Sequence, residues 1–498
     1  MGARKCAYQD EKIFEIESEW IKNKIKDDEE LNRRIAKIEH FLKLLGDKAN
    51  CRFDAIEGKE FCIFHDPDYW KTNEKEVGEK FLEELNKGES YFVGFHLPSI
   101  KLPEVIEQPL HMELAKIHGE FNANDVTFKE ETWFNGAIFD NIASFDGAKF
   151  RNKTIFDDSF FSGEISFKNT IFLIGSINNS KYTDYISFRR VTFKEPEKVI
   201  FDGCNMKRVS FSHSDISRIK FINTKWGKDF RIFDEKLFLL KLNKKEFIKE
   251  QKDLLRKIIS FAESMKLDEV IKAFEKGNVE ISEEVEEIIY EPTIYEKLKL
   301  MKKYKGENKE KEYNYEKNKL EQYYNDYINK LKNKLNQIDK DVENEINTLK
   351  YFEFEDLTLD NALTVYRNLR ENYDYYMKYE ESGKFFLNEM KLKRKTLPKL
   401  SGEKIVMLLY EALALYGESY IRPLLALIAI VMTSFFIRLY VLQFNPNVIF
   451  NELLKSIDLF GLGSVSGNIN IIERSTAIPI LGMLIVALRR KLERRVRH

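Results

Sequence analysis

Between Phe128 and Trp226 a bulky apolar residue returns every five or six positions. The series runs Phe128, Phe134, Phe139, Phe145, Phe150, Phe156, Phe161, Phe167, Phe172, Phe188, Phe193, Phe201, Met206, Phe211, Ile216, Phe221 and Trp226. Neither the 3.6-residue period of a helix nor the 2-residue period of a strand gives this spacing. Two places before each anchor stands a small or β-branched residue, from Val126, Thr132, Ala137 and Ala143 to Ile219 and Thr224. Such self-similarity at a short period predicts a solenoid. If each five-residue unit is one side of a four-sided coil, the anchor points to the axis. The residue two earlier also points inward, where only a small group fits. The spacing alternates six and five up to Phe172, so the sixth residue reads as a corner insertion, and it is strictly five from Phe201 to Trp226. A rod of about five turns, at roughly twenty residues each, is expected over 121–227. Residues 173–185 break the pattern and read as a loop leaving a corner.

This pattern resembles the pentapeptide-repeat family. The resemblance implies a right-handed quadrilateral β-helix whose core includes Phe139, Phe150, Phe161, Phe201, Phe211 and Phe221. Further stretches resemble the membrane-attached members of that family. They are Val365–Asn372 (VYRNLREN), Lys384–Met390 (KFFLNEM), and Tyr416-Gly417-Glu418-Ser419 with Arg422-Pro423. Most members have no assigned activity, so the resemblance implies a fold far more than a reaction.

The remaining pattern predicts a mixed chain. Residues 1–120 read as a mixed region that opens with charged helix over 11–45. Residues 228–420 read as helical, with a hairpin at 301–350. There Tyr324, Ile328, Leu331, Leu335, Ile338 and Val342 step by four and three, which fits either a helical hairpin or a dimer zipper. Residues 421–498 read as a two-span membrane module. Pro423–Ile437 is uncharged, and Thr476–Leu488 is a second apolar run that reaches spanning length only when extended back through Ile469–Ile472. The expected fold is therefore a β-helix, then helices, then two transmembrane helices. Arg489, Arg490, Lys491, Arg494, Arg495 and Arg497 follow the second run and favour a cytoplasmic C-terminus. With two spans the N-terminal bulk is cytoplasmic too, and the polar start MGARKCAYQDEK reads as no signal peptide. The expected location is the cell membrane, multi-pass.

Charge adds an exclusion. The chain of 498 residues carries 81 Lys and Arg against 82 Asp and Glu, a net charge of -1. Residues 121–226 hold thirteen acids against fifteen bases, so neither nucleic-acid binding nor the DNA mimicry of some pentapeptide-repeat proteins is expected. The acids of the coil are expected to face outward.

Cys6, Cys51, Cys62 and His65 are the metal candidates. Cys62-Ile63-Phe64-His65 is a C-x2-H knuckle, and three thiolates with one imidazole make a closed, structural zinc site. Cys204 sits at a small inward position and reads as core. No phosphate loop, HExxH or GxSxG occurs, so no enzyme activity is expected. Between the two apolar runs, Phe450–Asp458 reads as a short helix leading to Gly461, Leu462 and Gly463. That order resembles the two-span pore module of potassium-type channels, although Leu459 and Leu462 stand where the filter carries a hydroxyl residue and Tyr. The expected role is a non-enzymatic scaffold with a protein partner and the membrane. An ion-channel-like protein, which requires a homo-oligomer, is the alternative.

Overall fold

The computed structural model describes all residues except 1–3, 25–27, 173–184, 243, 265–266, 277–287, 290–291, 350–357, 399, 442–467 and 497–498. The chain divides into two compact units, Met1–Asn368 and Leu369–His498.

The first unit is built on a parallel β-solenoid. Short strands fall into four parallel ladders, two of them five-stranded, and successive strands up to Val199–Asp202 visit the four ladders in turn. One ladder pairs Lys116 with Ile138 and Ile138 with Phe160, and a second pairs Val105 with Thr127 and Thr127 with Lys149. The period is therefore 22 residues in the central turns, the sum of two five-residue and two six-residue sides. Where the anchors are strictly five apart the turn shortens to 20, as Phe201 pairs with Phe221. Across 173–184 the partner of Thr154 is Ile186, so that turn carries ten residues more than the 22-residue turns.

The two-position rule is expressed in burial. Every anchor from Phe128 to Trp226 is buried except Phe172 and Phe193, and every small position is buried except Thr224. Phe139 stacks on Phe161 at 4.6 Å, Phe145 on Phe167 at 4.8 Å and Phe167 on Phe201 at 4.7 Å, each from one turn to the next. Phe221 continues the last of these columns on Phe201, whereas Phe150 stacks on Phe128 and Phe211 on Phe188 in two further columns. The corners alternate in kind. Every second corner turns through a left-handed residue: Leu114, Gly136, Asp158, Arg190 and His213 down one edge, and Asp125, Gly147, Asn169, Gly203 and Asn223 down another.

The coil starts before residue 121. Its first paired strand is His96–Leu97, so the first turn lies inside the region 1–120. The early anchors Leu97, Leu102, Ile106, Met112, Ile117 and Ala123 are buried like the later ones, but none is Phe and their spacing is irregular. At one level the sizes are inverted. Phe121 takes the small position and Ala123 the large one, and Phe121 packs against Phe134, Phe139 and Phe145. The exchange conserves core volume, which is why the coil continues through it.

The two ends of the coil are covered. At the last turn Trp226 packs on Phe221, and the helix Phe233–Leu242 follows. Its Asp234 accepts the hydroxyls of Ser210 and Ser212. Tyr366 donates to Glu235 and accepts from the Ile232 amide. A helical arm follows, in which Pro292–Gly306 and Glu310–Leu349 form a hairpin whose turn falls at 307–309, earlier than the middle of 301–350. Tyr324, Leu331 and Ile338 are buried with Leu255, Ile258 and Ala262 of Lys244–Ser264. The seam is thus filled by this chain's own helix.

The second unit holds Tyr379–Thr396, Gly402–Ala414, Ile421–Val441 and Asn468–Val496. Among the described residues no single helix is long and apolar enough to cross a membrane. Gly402–Gly417 and Ile421–Ile437 pass that test only together, as a pair bent by 117°. The two transmembrane helices that the sequence pattern expects are therefore not confirmed among the described residues.

Candidate metal centre

Cys6, Cys51, Cys62 and His65 come together although 45 residues separate the first two. The helices Asp10–Lys24 and Asp28–Leu45 form a hairpin that returns the chain to its start. Asp10 and Asn50 exchange hydrogen bonds at its base, at 2.7 and 2.8 Å. The amides of Cys6 and Cys51 donate to Phe53 and Tyr8, so short backbone pairing holds both thiols. The Cys62 carbonyl accepts from the amides of His65 and Asp66, which is the turn that lets a C-x2-H knuckle aim both side chains one way.

All four ligand atoms lie within 4.8 Å of one another and all four residues are buried. Cys51 Sγ is 3.6 Å from Cys62 Sγ, Cys62 Sγ is 3.3 Å from His65 Nδ1, and Cys6 Sγ is 3.8 Å from His65 Nδ1. Zinc bonds of about 2.3 Å to sulfur and 2.0 Å to nitrogen at tetrahedral angles need separations of about 3.5–3.8 Å. The residues fit a tetrahedral ion. The rest of the imidazole is fixed as metal-bound histidines usually are. His65 Nε2 lies 3.0 Å from the Val93 carbonyl and donates to it when Nδ1 is the ligand. Tyr8 stacks on the ring at 3.8 Å.

The thiols do not titrate alike: hydrogen bonds to Cys6 and Cys62 push the Cys51 thiol far above its ordinary value. Hydrogen bonds from Cys51 and Cys62 hold the Cys6 thiol far below its ordinary value. Burial pulls His65 down, but its bonds to Cys6 and Cys62 outweigh burial and leave it raised to about 9. Asp66, the next residue, accepts from the amides of Asp68 and Tyr69 and from Lys59 at 2.7 Å.

The centre sits on the first turn of the coil. The Phe64 carbonyl, inside the knuckle, accepts from the His96 amide at 2.7 Å, at the first strand. Tyr8 hydroxyl donates to Glu17 at 2.9 Å, and the buried Lys116, on the coil, donates to the same carboxylate oxygen. Burial lowers the pKa of Lys116. Sequence reasoning missed this Tyr8–Glu17–Lys116 link, since nothing local says that an outward charged residue on a strand is covered by the helix Asp10–Lys24. It also missed His96, His118 and Asp140, which bond in series at 2.9 and 3.0 Å under a stacked Trp70. Their spacing of 22 residues becomes a signal once the period is known.

Among the other sequence candidates, Cys204 is core as expected. It is fully buried and donates to the Phe167 carbonyl, and burial pushes its thiol up to about 12. The acids of the coil do not all face outward. Asp157 and Asp158 are buried and paired with Arg189 and Arg190. Arg34, from Asp28–Leu45, donates to the Asp158 carbonyl and to Thr192. The pore-like turn Gly461, Leu462 and Gly463, with its leading helix 450–458, lies outside the described residues.

No family model, curated protein or solved structure matches this chain.

Proposed function

We propose that the chain is a pentapeptide-repeat protein of the membrane-attached type, a scaffold without enzymatic activity. In this reading a structural zinc closes the N-terminal end of the coil. The observation that carries it is the closed Cys3His set seated on the first turn. Four protein ligands leave no position for a reacting water, so the ion's role is to hold Cys6, Cys51 and Cys62 against the coil. A capped solenoid is rigid and presents long faces, which suits partner binding.

Membrane attachment is supported by the apolar side chains left uncovered on the second unit. Leu424, Leu425, Ile428, Met432 and Phe436 are exposed on Ile421–Val441, and Ile478, Ile485 and Val486 on Asn468–Val496. The two helices pack through Leu427, Ala477 and Ile480. Arg490 lies beside Tyr416 and Glu418, which places a basic residue of the second helix at the start of the first. Basic residues at one end of an apolar hairpin favour that end as cytoplasmic.

Purification from native membranes tests the reading. The full chain should need detergent for release, carry about one zinc per chain and bring down a specific protein partner. A chain released by alkaline carbonate, or one with under a tenth of an equivalent of zinc, on the order of background, overturns the corresponding half. Failure to enrich any partner overturns the scaffold role.

A further inference from the structure

The helix Gly402–Ala414 is built so that it wastes apolar surface in water. Ser401 caps its start by accepting from the Lys404 amide at 3.2 Å, and Leu415, left-handed at φ 49°, ends it. Met407 and Ala414 are buried, and Leu413 packs on the cluster formed by Leu427, Ala477 and Ile480. The half nearer its start carries Ile405, Val406, Leu408 and Leu409, which are 49–63% exposed. Four large aliphatic residues within two turns of one short helix form a patch that calls for a cover.

The bend that follows is fixed. Leu415, Tyr416 and Gly417 all have positive φ, at 49°, 54° and 83°. Arg490 Nη1 donates to the Tyr416 carbonyl at 2.9 Å, and Arg422 Nη1 donates to the Glu411 carbonyl at 3.2 Å. Lys491 Nζ stands 4.2 Å from the Tyr420 ring centroid. The elbow is therefore a belt of tyrosines and cations at the point where the apolar hairpin begins. Such belts sit at headgroup level, and their cations favour anionic lipid. The helices on either side of it turn by 117°. If the second crosses a bilayer with a tilt of about 27°, within the ordinary range, the first lies flat in the membrane plane, since 117 − 90 = 27.

We infer that Gly402–Ala414 is an interfacial helix, with Ile405, Val406, Leu408 and Leu409 seated in the headgroup–acyl boundary of an anionic bilayer. The inference rests on the membrane-attachment reading above. It differs from that reading by assigning this helix to the surface, neither spanning with Ile421–Val441 nor covered by protein. Lipid is favoured over a second copy because the patch is continuous in sequence with the tyrosine–cation belt and with the exposed face of the hairpin.

Depth-dependent quenching tests it. The full chain is reconstituted in vesicles of equimolar phosphatidylcholine and phosphatidylglycerol, with an NBD label on a single cysteine at Val406, Leu409 or Met432. The native cysteines are all buried, and the unsubstituted chain measures their background. Labels at 406 and 409 should be quenched best by spin labels near the headgroup, at about 10–15 Å from the bilayer centre. The label at 432 should be quenched best by deep ones. Labels at 406 and 409 quenched only by aqueous iodide, with 432 deep, overturn the inference and leave the anchor standing. Labels at 406 and 409 reached by neither quencher mean a protein cover and also overturn it. If 432 too meets no lipid quencher, the membrane reading itself fails.

Discussion

Single residues in this chain carry more than their type suggests. Asp157 and Asp158 read as solvated acids on a coil face, yet both are buried at a corner. Arg189 Nη2 reaches Asp157 Oδ2 at 2.6 Å, and Ser187 and the Arg189 amide also bind this carboxylate. Burial acts to raise the pKa of Asp157, but Arg189 and Arg190 outweigh burial and hold it below the ordinary 3.8. A carboxyl lowered by folding adds stability at pH above its unfolded value, and that stability is lost as pH falls below about 3.8. Asp157→Ala leaves Arg189 buried without this partner and should cost about 3–5 kcal/mol. Denaturant titration at neutral pH should register that loss, and it should shrink on acidification below pH 3.8. An equal penalty at both pH values would contradict the account. Cys204 is the converse case, where size and position alone marked a core residue and the structure agrees.

At the scale of elements, the coil was legible wherever its anchors are Phe. The rule of a large residue preceded at two positions by a small one follows directly from a side that is two residues deep, and burial obeys it. Two things were not legible. The first turn is hidden because Leu97, Leu102, Ile106 and Met112 replace Phe at irregular spacing. The seam of Glu310–Leu349 fits a zipper or a hairpin equally, since periodicity says which face is apolar and not what covers it. The structure supplies the cover from Lys244–Ser264. Close packing also selects particular glycines. A Cβ on Gly94, at φ 69°, would stand 2.0 Å from the Tyr8 hydroxyl oxygen, whereas one on Gly88, at φ 90°, would meet nothing within 4 Å. Gly88→Ala should cost about 1 kcal/mol, from backbone strain alone. Gly94→Ala should cost more and should weaken zinc retention, because Tyr8 stacks on His65. Equal costs with unchanged zinc content would show that the Tyr8 contact is not used.

For the whole molecule, a candidate metal centre lies at one end of the solenoid. Stacked coils leave their terminal turn without a partner on one side, so both ends need a cover. The C-terminal end has Trp226 and the helix Phe233–Leu242. The N-terminal end has the helix Glu74–Asn86, whose Phe81 packs on Phe92 at 4.8 Å, and beside it the knuckle Cys62–His65, tied to the coil through Phe64, Val93 and the Glu17–Lys116 pair. The four candidate ligands were legible in the sequence as residue types. Their place on the first turn was not, because that turn itself went unseen. Hydrogen exchange of the full-length protein, with its zinc and after chelation, tests the link most directly. The account predicts that chelation strips protection from amides of the first turn, His96 to Lys116, while those of Val199–Asp202 and Lys220–Ile222 keep theirs. Unchanged protection at His96–Lys116 after complete zinc removal would contradict it.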